Sequence, residues 1–146
     1  MAADNLTEVI RIRVTFSLLL ASLFLAGCGN QFGGGTQAKP DLPESVSPGW
    51  KLGSLMQTPA PPEVPQSATP PVCWKAEYAG PGTAQVFLCR YGVEATAFDA
   101  VQRVPAEAQA VKFQVGPWFV LVKWNGAAKT DLTALIRAVQ KSLAKK

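Results

Sequence analysis

The sequence predicts an α+β domain of order ββαββα in residues 72–146: a four-stranded, mainly antiparallel sheet with both helices on one face. Three observations carry this. Two pairs of segments alternate apolar and polar residues, each pair joined by a Gly-Pro turn, Gly80-Pro81 and Gly116-Pro117, as hairpins are. Two further segments repeat their apolar residues with a helical period near 3.6. Finally, 9 of the 12 prolines fall between Pro40 and Pro71, so the chain divides into a proline-rich stretch and a proline-poor domain.

At 146 residues there is room for one ordinary domain and a tail. Charged residues make up 16%, below the roughly 25% of soluble chains, which suits a mixture of unlike segments. The net charge is +4, with no histidine. Asp4, Glu8, Arg11 and Arg13 cancel, so the chain beyond residue 27 carries the whole excess. An excess this mild is compatible with anionic membranes or polyanions but identifies neither, and ordinary solubility charge accounts for it.

Arg11 and Arg13 precede an apolar run from Val14 to Leu25 that ends in small residues. A basic region, an apolar region of this length and small residues at a cleavage point make a secretory signal peptide, here residues 1–27. Gly27, Gly29 and Asn30 stop the run short of the about 20 residues a membrane span needs. Met1–Glu8 sets two acids ahead of the basic region, which is atypical and reads as a start-site error, with translation beginning near Val9.

Leu25-Ala26-Gly27-Cys28 resembles the lipobox of bacterial lipoproteins, Leu-Ala/Ser-Gly/Ala-Cys, at all four positions. The resemblance implies cleavage before Cys28, a diacylglyceryl group on its thiol and an acyl chain on its new amino group; no other cofactor is expected. Two or three chains would hold the protein to membrane lipid, since one alone binds reversibly. By likeness to lipoproteins of two-membrane bacteria, Gly29 in place of an aspartate favours the periplasmic side of the outer membrane over the inner membrane.

Residues 28–71 read as a disordered or polyproline-II-rich tether, because proline at this density excludes helix and central strand. Fully extended, about 40 residues would reach about 120 Å. Within it, Trp50-Lys51-Leu52-Gly53-Ser54-Leu55-Met56 is an apolar island, read as a loosely ordered patch, with a docking motif or an extra edge strand as the alternative.

In the domain, a three-residue turn after Ala79 sets Trp74 opposite Leu88, Ala76 opposite Val86, Tyr78 opposite Ala84 and Cys73 opposite Cys89. Directly opposed cysteines are close enough to bridge, and export would place them in an oxidising compartment, so a Cys73–Cys89 disulfide is expected. Two buried thiols are the alternative. A redox or metal role would want Cys-x-x-Cys spacing or further ligands. Thr96 is the expected N-cap of the first helix, which Pro105 ends. In the second hairpin Val111 should face Val122 and Phe113 should face Val120. Thr130-Asp131 opens the last helix, whose stripe is Leu132, Leu135, Ile136, Val139 and Leu143. The two ββα halves resemble each other faintly, which suggests an internal duplication.

The sheet face opposite the helices would carry Lys75, Glu77, Phe87, Lys112, Gln114, Phe119, Leu121 and Lys123. Phe87, Phe119 and Leu121, flanked by Lys75 and Lys123, are more apolar than a solvated face requires and form the candidate binding surface, unless Trp50–Leu55 or a prolyl segment covers them. Glu77, Glu94, Asp99, Glu107 and Asp131 are scattered. With no histidine, no phosphate loop and no activated nucleophile, catalysis lacks its usual parts. Arg90, Tyr91, Lys123 and Trp124 are the residue types that bind nucleic acid, yet export argues against that partner. Residues 72–144 are also vaguely similar to small secreted bacterial domains of unknown function, on no specific motif. The expected function is a membrane-anchored, non-catalytic accessory module contacting an envelope protein. The alternative is a small envelope hydrolase or ligand carrier, which would show a closed cleft with convergent polar groups.

Overall fold

The computed structural model describes residues 39–145; the predicted signal peptide, Cys28 and the tether as far as residue 38 lie outside the described residues. In chain order the elements are β1 (Ser45–Val46), β2 (Trp50–Thr58), β3 (Val72–Ala79), β4 (Thr83–Arg90), α1 (Glu94–Arg103), β5 (Ala110–Val115), β6 (Trp118–Asn125) and α2 (Lys129–Leu143). One antiparallel sheet runs in the order β1-β2-β3-β4-β6-β5. Both hairpins take the predicted registers, with Cys73 opposite Cys89, Trp74 opposite Leu88, Val111 opposite Val122 and Phe113 opposite Val120.

The sheet has six strands where four were expected, because part of the presumed tether folds. The apolar island is β2, paired along β3 from Lys51 to Thr58. A register shift at Gly53 carries Leu52 and Leu55, three residues apart, to the same face, opposite Tyr78 and Ala76. Such a bulge breaks strict alternation while keeping the strand, so the period-2 signal is lost. The prolines of the region bracket the strand and none falls inside Gly49–Thr58.

The two helices lie on opposite faces, not on one. Leu132, Leu135, Val139 and Leu143 of α2 pack with Trp74, Tyr78, Val86, Leu88, Val120 and Val122. Ala97 and Ala100 of α1, and Val104 at its C-terminal end, pack with Cys73, Cys89, Phe119 and Leu121 on the other face. The cause is visible in β6, where Trp118 to Leu121 and Val122 are all buried. A strand with a continuous apolar run is covered on both sides. Topology agrees: α1 carries the chain from β4 past β6 to β5, and α2 then folds back on the free face. A two-fold rotation normal to the sheet would relate the hairpins but would also put both helices on one face. The arrangement is therefore not that of a duplicated ββα unit.

Neither predicted cap is used. The helices begin earlier, after Val93 and Ala128, which make no side-chain capping bond. The C-terminal helix touches both β1 and β6, four strand positions apart. Flat strands that far apart would lie about 19 Å from each other, wider than one helix, so the sheet curls around α2. Trp50, fully buried, ties the curl: its Nε1 donates to the Asp131 carbonyl at 2.9 Å. The Tyr78 hydroxyl likewise donates to the Pro43 carbonyl at 2.9 Å, fastening the segment before β1.

Candidate interaction surface

The strands alternate, so one side of the sheet presents Cys73, Lys75 and Glu77 from β3, Gln85, Phe87 and Cys89 from β4, and Phe119, Leu121 and Lys123 from β6. Of these, Lys75, Glu77, Phe87, Phe119, Leu121 and Lys123 are the ones the sequence brings together with Lys112 and Gln114, and the strand registers place them on one face. The face is not open. Phe119 is 0% and Leu121 3% exposed, packed under α1, Tyr91 and Val64. The expectation that they form an exposed binding surface is corrected accordingly. Val64, itself buried, belongs to the proline-rich connection between β2 and β3, so the alternative of a prolyl segment covering the face is the one adopted.

At the heart of the covered half, Cys73 and Cys89 form a disulfide with Cα atoms 4.1 Å apart, both sulfur-bearing residues buried. Phe87 is half-buried at the margin, with the Lys75 ammonium 6.0 Å from its ring centroid. Lys75 pairs with Glu77 at 2.8 Å and, by hydrogen bonding to it, holds that carboxyl below its usual pKa. Lys123 hydrogen bonds to Glu63 and lies 3.5 Å from Glu107. The Lys123 bond lowers the pKa of Glu63, and the Glu63 bond raises that of Lys123.

Beyond α1, toward the Gly80-Pro81-Gly82 turn, the same face opens into a groove of about 560 Å³ walled by Glu77, Thr83, Gln85, Lys123 and Asn125, with Gly53 at its rim. Its charges are already matched in pairs. Among the described residues no three His, Cys, Asp or Glu side chains cluster to hold a metal, and no charged side chain is buried. The groove offers amide, hydroxyl and backbone contacts to a polar ligand. Sequence reasoning missed Glu63, Thr83 and Gln85. Glu63 sits in a stretch read as tether, while Thr83 and Gln85 followed from the hairpin register but draw attention only once α1 is seen to leave them uncovered.

No family model, curated protein or solved structure matches this chain.

Proposed function

We propose that the chain is an exported bacterial lipoprotein, held to membrane lipid by acyl chains on Cys28, whose α+β domain is a non-catalytic accessory or protein-interaction module of the cell envelope. The observation that carries this reading is the Cys73–Cys89 disulfide at the centre of the α1 face. Structural disulfides belong to oxidising compartments, which is where the lipobox at Leu25–Cys28 would send the chain. Gly29 after the cysteine favours the periplasmic side of the outer membrane. The paired charges of the groove support binding rather than acid–base chemistry, which needs a proton acceptor free to work. Metabolic labelling with an alkyne fatty acid tests the anchor. The native chain takes up label and fractionates with membranes, whereas Cys28→Ser loses the label and becomes soluble; label retained by Cys28→Ser refutes the assignment.

The groove supports ligand carriage as a second reading, since its volume falls in the roughly 300–1,000 Å³ range of small-molecule sites. Native mass spectrometry of protein released from membranes separates the two. A stoichiometric small-molecule adduct that Gln85→Trp abolishes favours carriage, and adduct-free protein favours the interaction module.

A further inference from the structure

The sheet ends differently at its two edges. Over its first half β2 is capped by β1 and by a Leu52 N–H to Glu44 carbonyl bond of 2.9 Å. Its second half follows the Gly53 bulge and runs straight into Pro59, Pro61 and Pro62. Bulges and prolines are the usual means of blunting an edge. At the other end, among the described residues, β5 pairs only with β6, and all six of its residues are half-buried.

Register decides which of its backbone groups are free. The Trp124 N–H donates to the Gln109 carbonyl at 3.1 Å, in phase with the pairs Val111–Val122, Phe113–Val120 and Val115–Trp118. In an antiparallel pair hydrogen-bonded residues alternate with non-bonded ones. Residues 111, 113 and 115 therefore point their N–H and C=O groups at β6, and Ala110, Lys112 and Gln114 point theirs away. Among the described residues these outward groups have no backbone partner. Beside them Val111, Phe113 and Val115 form a row on the α2 side, with Phe113 and Val115 only partly buried against the core. Lys112 stands on the α1 side, its ammonium donating to the Val104 carbonyl at the end of α1.

We infer that the β5 edge takes up an extended strand from a protein partner bearing a carboxylate opposite Lys112 and apolar residues on either side of that carboxylate. Strand addition draws affinity from main-chain bonds and specificity from alternate side chains. The partner's apolar residues would lie against the Val111–Phe113 row, and its acid beside the single charge on the strand. The same charge argues against a second copy. The antiparallel register that pairs all three outward residues is centred on Lys112 and would set two lysines directly opposite, an unfavourable pairing. The inference deepens the interaction reading and rests on it for the partner being an envelope protein.

Amide exchange by NMR on the full-length Cys28→Ser chain tests the edge without the lipid anchor, so a failed anchor and a failed edge give different results. Two probes are used: a nonapeptide of alternating threonine and valine with glutamate at its centre, and a twin with lysine there. In the free chain Ala110, Lys112 and Gln114 should exchange fast while Val111, Phe113 and Val115 are protected. The glutamate peptide should slow the first three about tenfold, and the lysine twin should need about fivefold more peptide, as a change from opposite to like charge predicts. Lys112→Glu should reverse that order. The inference is overturned by equal response to both peptides or by none. Protection already present at every dilution would assign the edge to this chain's own residues, and protection that grows with protein concentration would assign it to a second copy; either result overturns it too.

Discussion

Replacing Trp50 by alanine tests the largest departure from the expected architecture, the folding of β2 into the sheet. The indole is fully buried against the α2 face of the core and donates to the Asp131 carbonyl. A tryptophan buries about 150–250 Å². At about 25 cal/mol per Å² this is roughly 4–6 kcal/mol. A compact denatured state lowers it by about 10–40%, to around 3–5 kcal/mol. That agrees with the loss typical of Trp→Ala in cores. The missing donor adds about 1 kcal/mol. Urea unfolding followed by circular dichroism should therefore show Trp50→Ala destabilised by about 4–6 kcal/mol, a large share of the about 5–15 kcal/mol of an ordinary domain. Trp50→Phe, which keeps most of the apolar area, should lose about half as much or less. Met56→Ala, on the same strand but 55% exposed, should stay within about 0.5 kcal/mol of the parent. A Trp50→Ala loss below about 1 kcal/mol would mean that residues 50–58 are not part of the cooperative unit, and the six-stranded account would fail.

The remaining predictions concern the covered face and the turns. Cys73 and Cys89 should resist alkylation until the protein is both reduced and unfolded, since each is at most 1% exposed, and the double alanine variant should lose about 3 kcal/mol in chemical denaturation. Because the folded-state pKa of Glu63 is lowered, the contribution of its pair with Lys123 is fully present above the unfolded carboxyl value and is lost as pH falls through the folded one. Glu63→Gln should accordingly flatten the acid limb of stability below about pH 4.5, by no more than about 1 kcal/mol for a pair this exposed, as denaturant midpoints at successive pH values would record. At the alkaline end, burial pushes Tyr78 up to about 12. Stability should then fall as pH rises between the unfolded value near 10 and about 12, and Tyr78→Phe should lessen that fall without abolishing it, because burial also raises Tyr91. Gly82→Ala would set a Cβ 2.6 Å from the Ala127 nitrogen and still closer to the Asn125 carbonyl, so a loss of about 1–3 kcal/mol in thermal melting is expected.

Where structure was written in local alternation, it was legible. The β3–β4 and β5–β6 registers follow from counting residues around two short turns, and the disulfide follows from the first register. Other features depend on neighbours distant in sequence. Gly53 interrupts the alternation of β2, so that strand shows itself only against β3. The side on which α1 lies depends on β6 inserting between β4 and β5, although the five consecutive apolar residues from Trp118 to Val122 are of the kind that needs cover on both faces. Thr96 and Thr130 are good caps by type, yet each helix begins upstream of them, after the extended residues Val93 and Ala128. The binding surface was misplaced for the same reason. Phe119 and Leu121 looked too apolar for solvent because they are not in solvent.

Folding of the segment from Leu42 onward also shortens the distance over which the proposed anchor can act. Leu42 is buried and Tyr78 bonds Pro43, so the domain begins near residue 40. Only residues 29–38 separate Cys28 from the described chain, and ten residues span at most about 36 Å, not the about 120 Å of a tether reaching to residue 71. The chain enters the sheet beside β1, at one end of the strand order, and β5 is at the other. Five strand spacings add at most about 24 Å, less where the sheet curls. A strand docking on β5 would therefore be presented nearer the lipid surface than a tether reaching to residue 71 would allow. This restricts the proposed partner to a protein of the same membrane or one lying close against it, and it predicts that lengthening the chain between Cys28 and Lys39 would relax that restriction while leaving the affinity of the β5 edge for a free peptide unchanged.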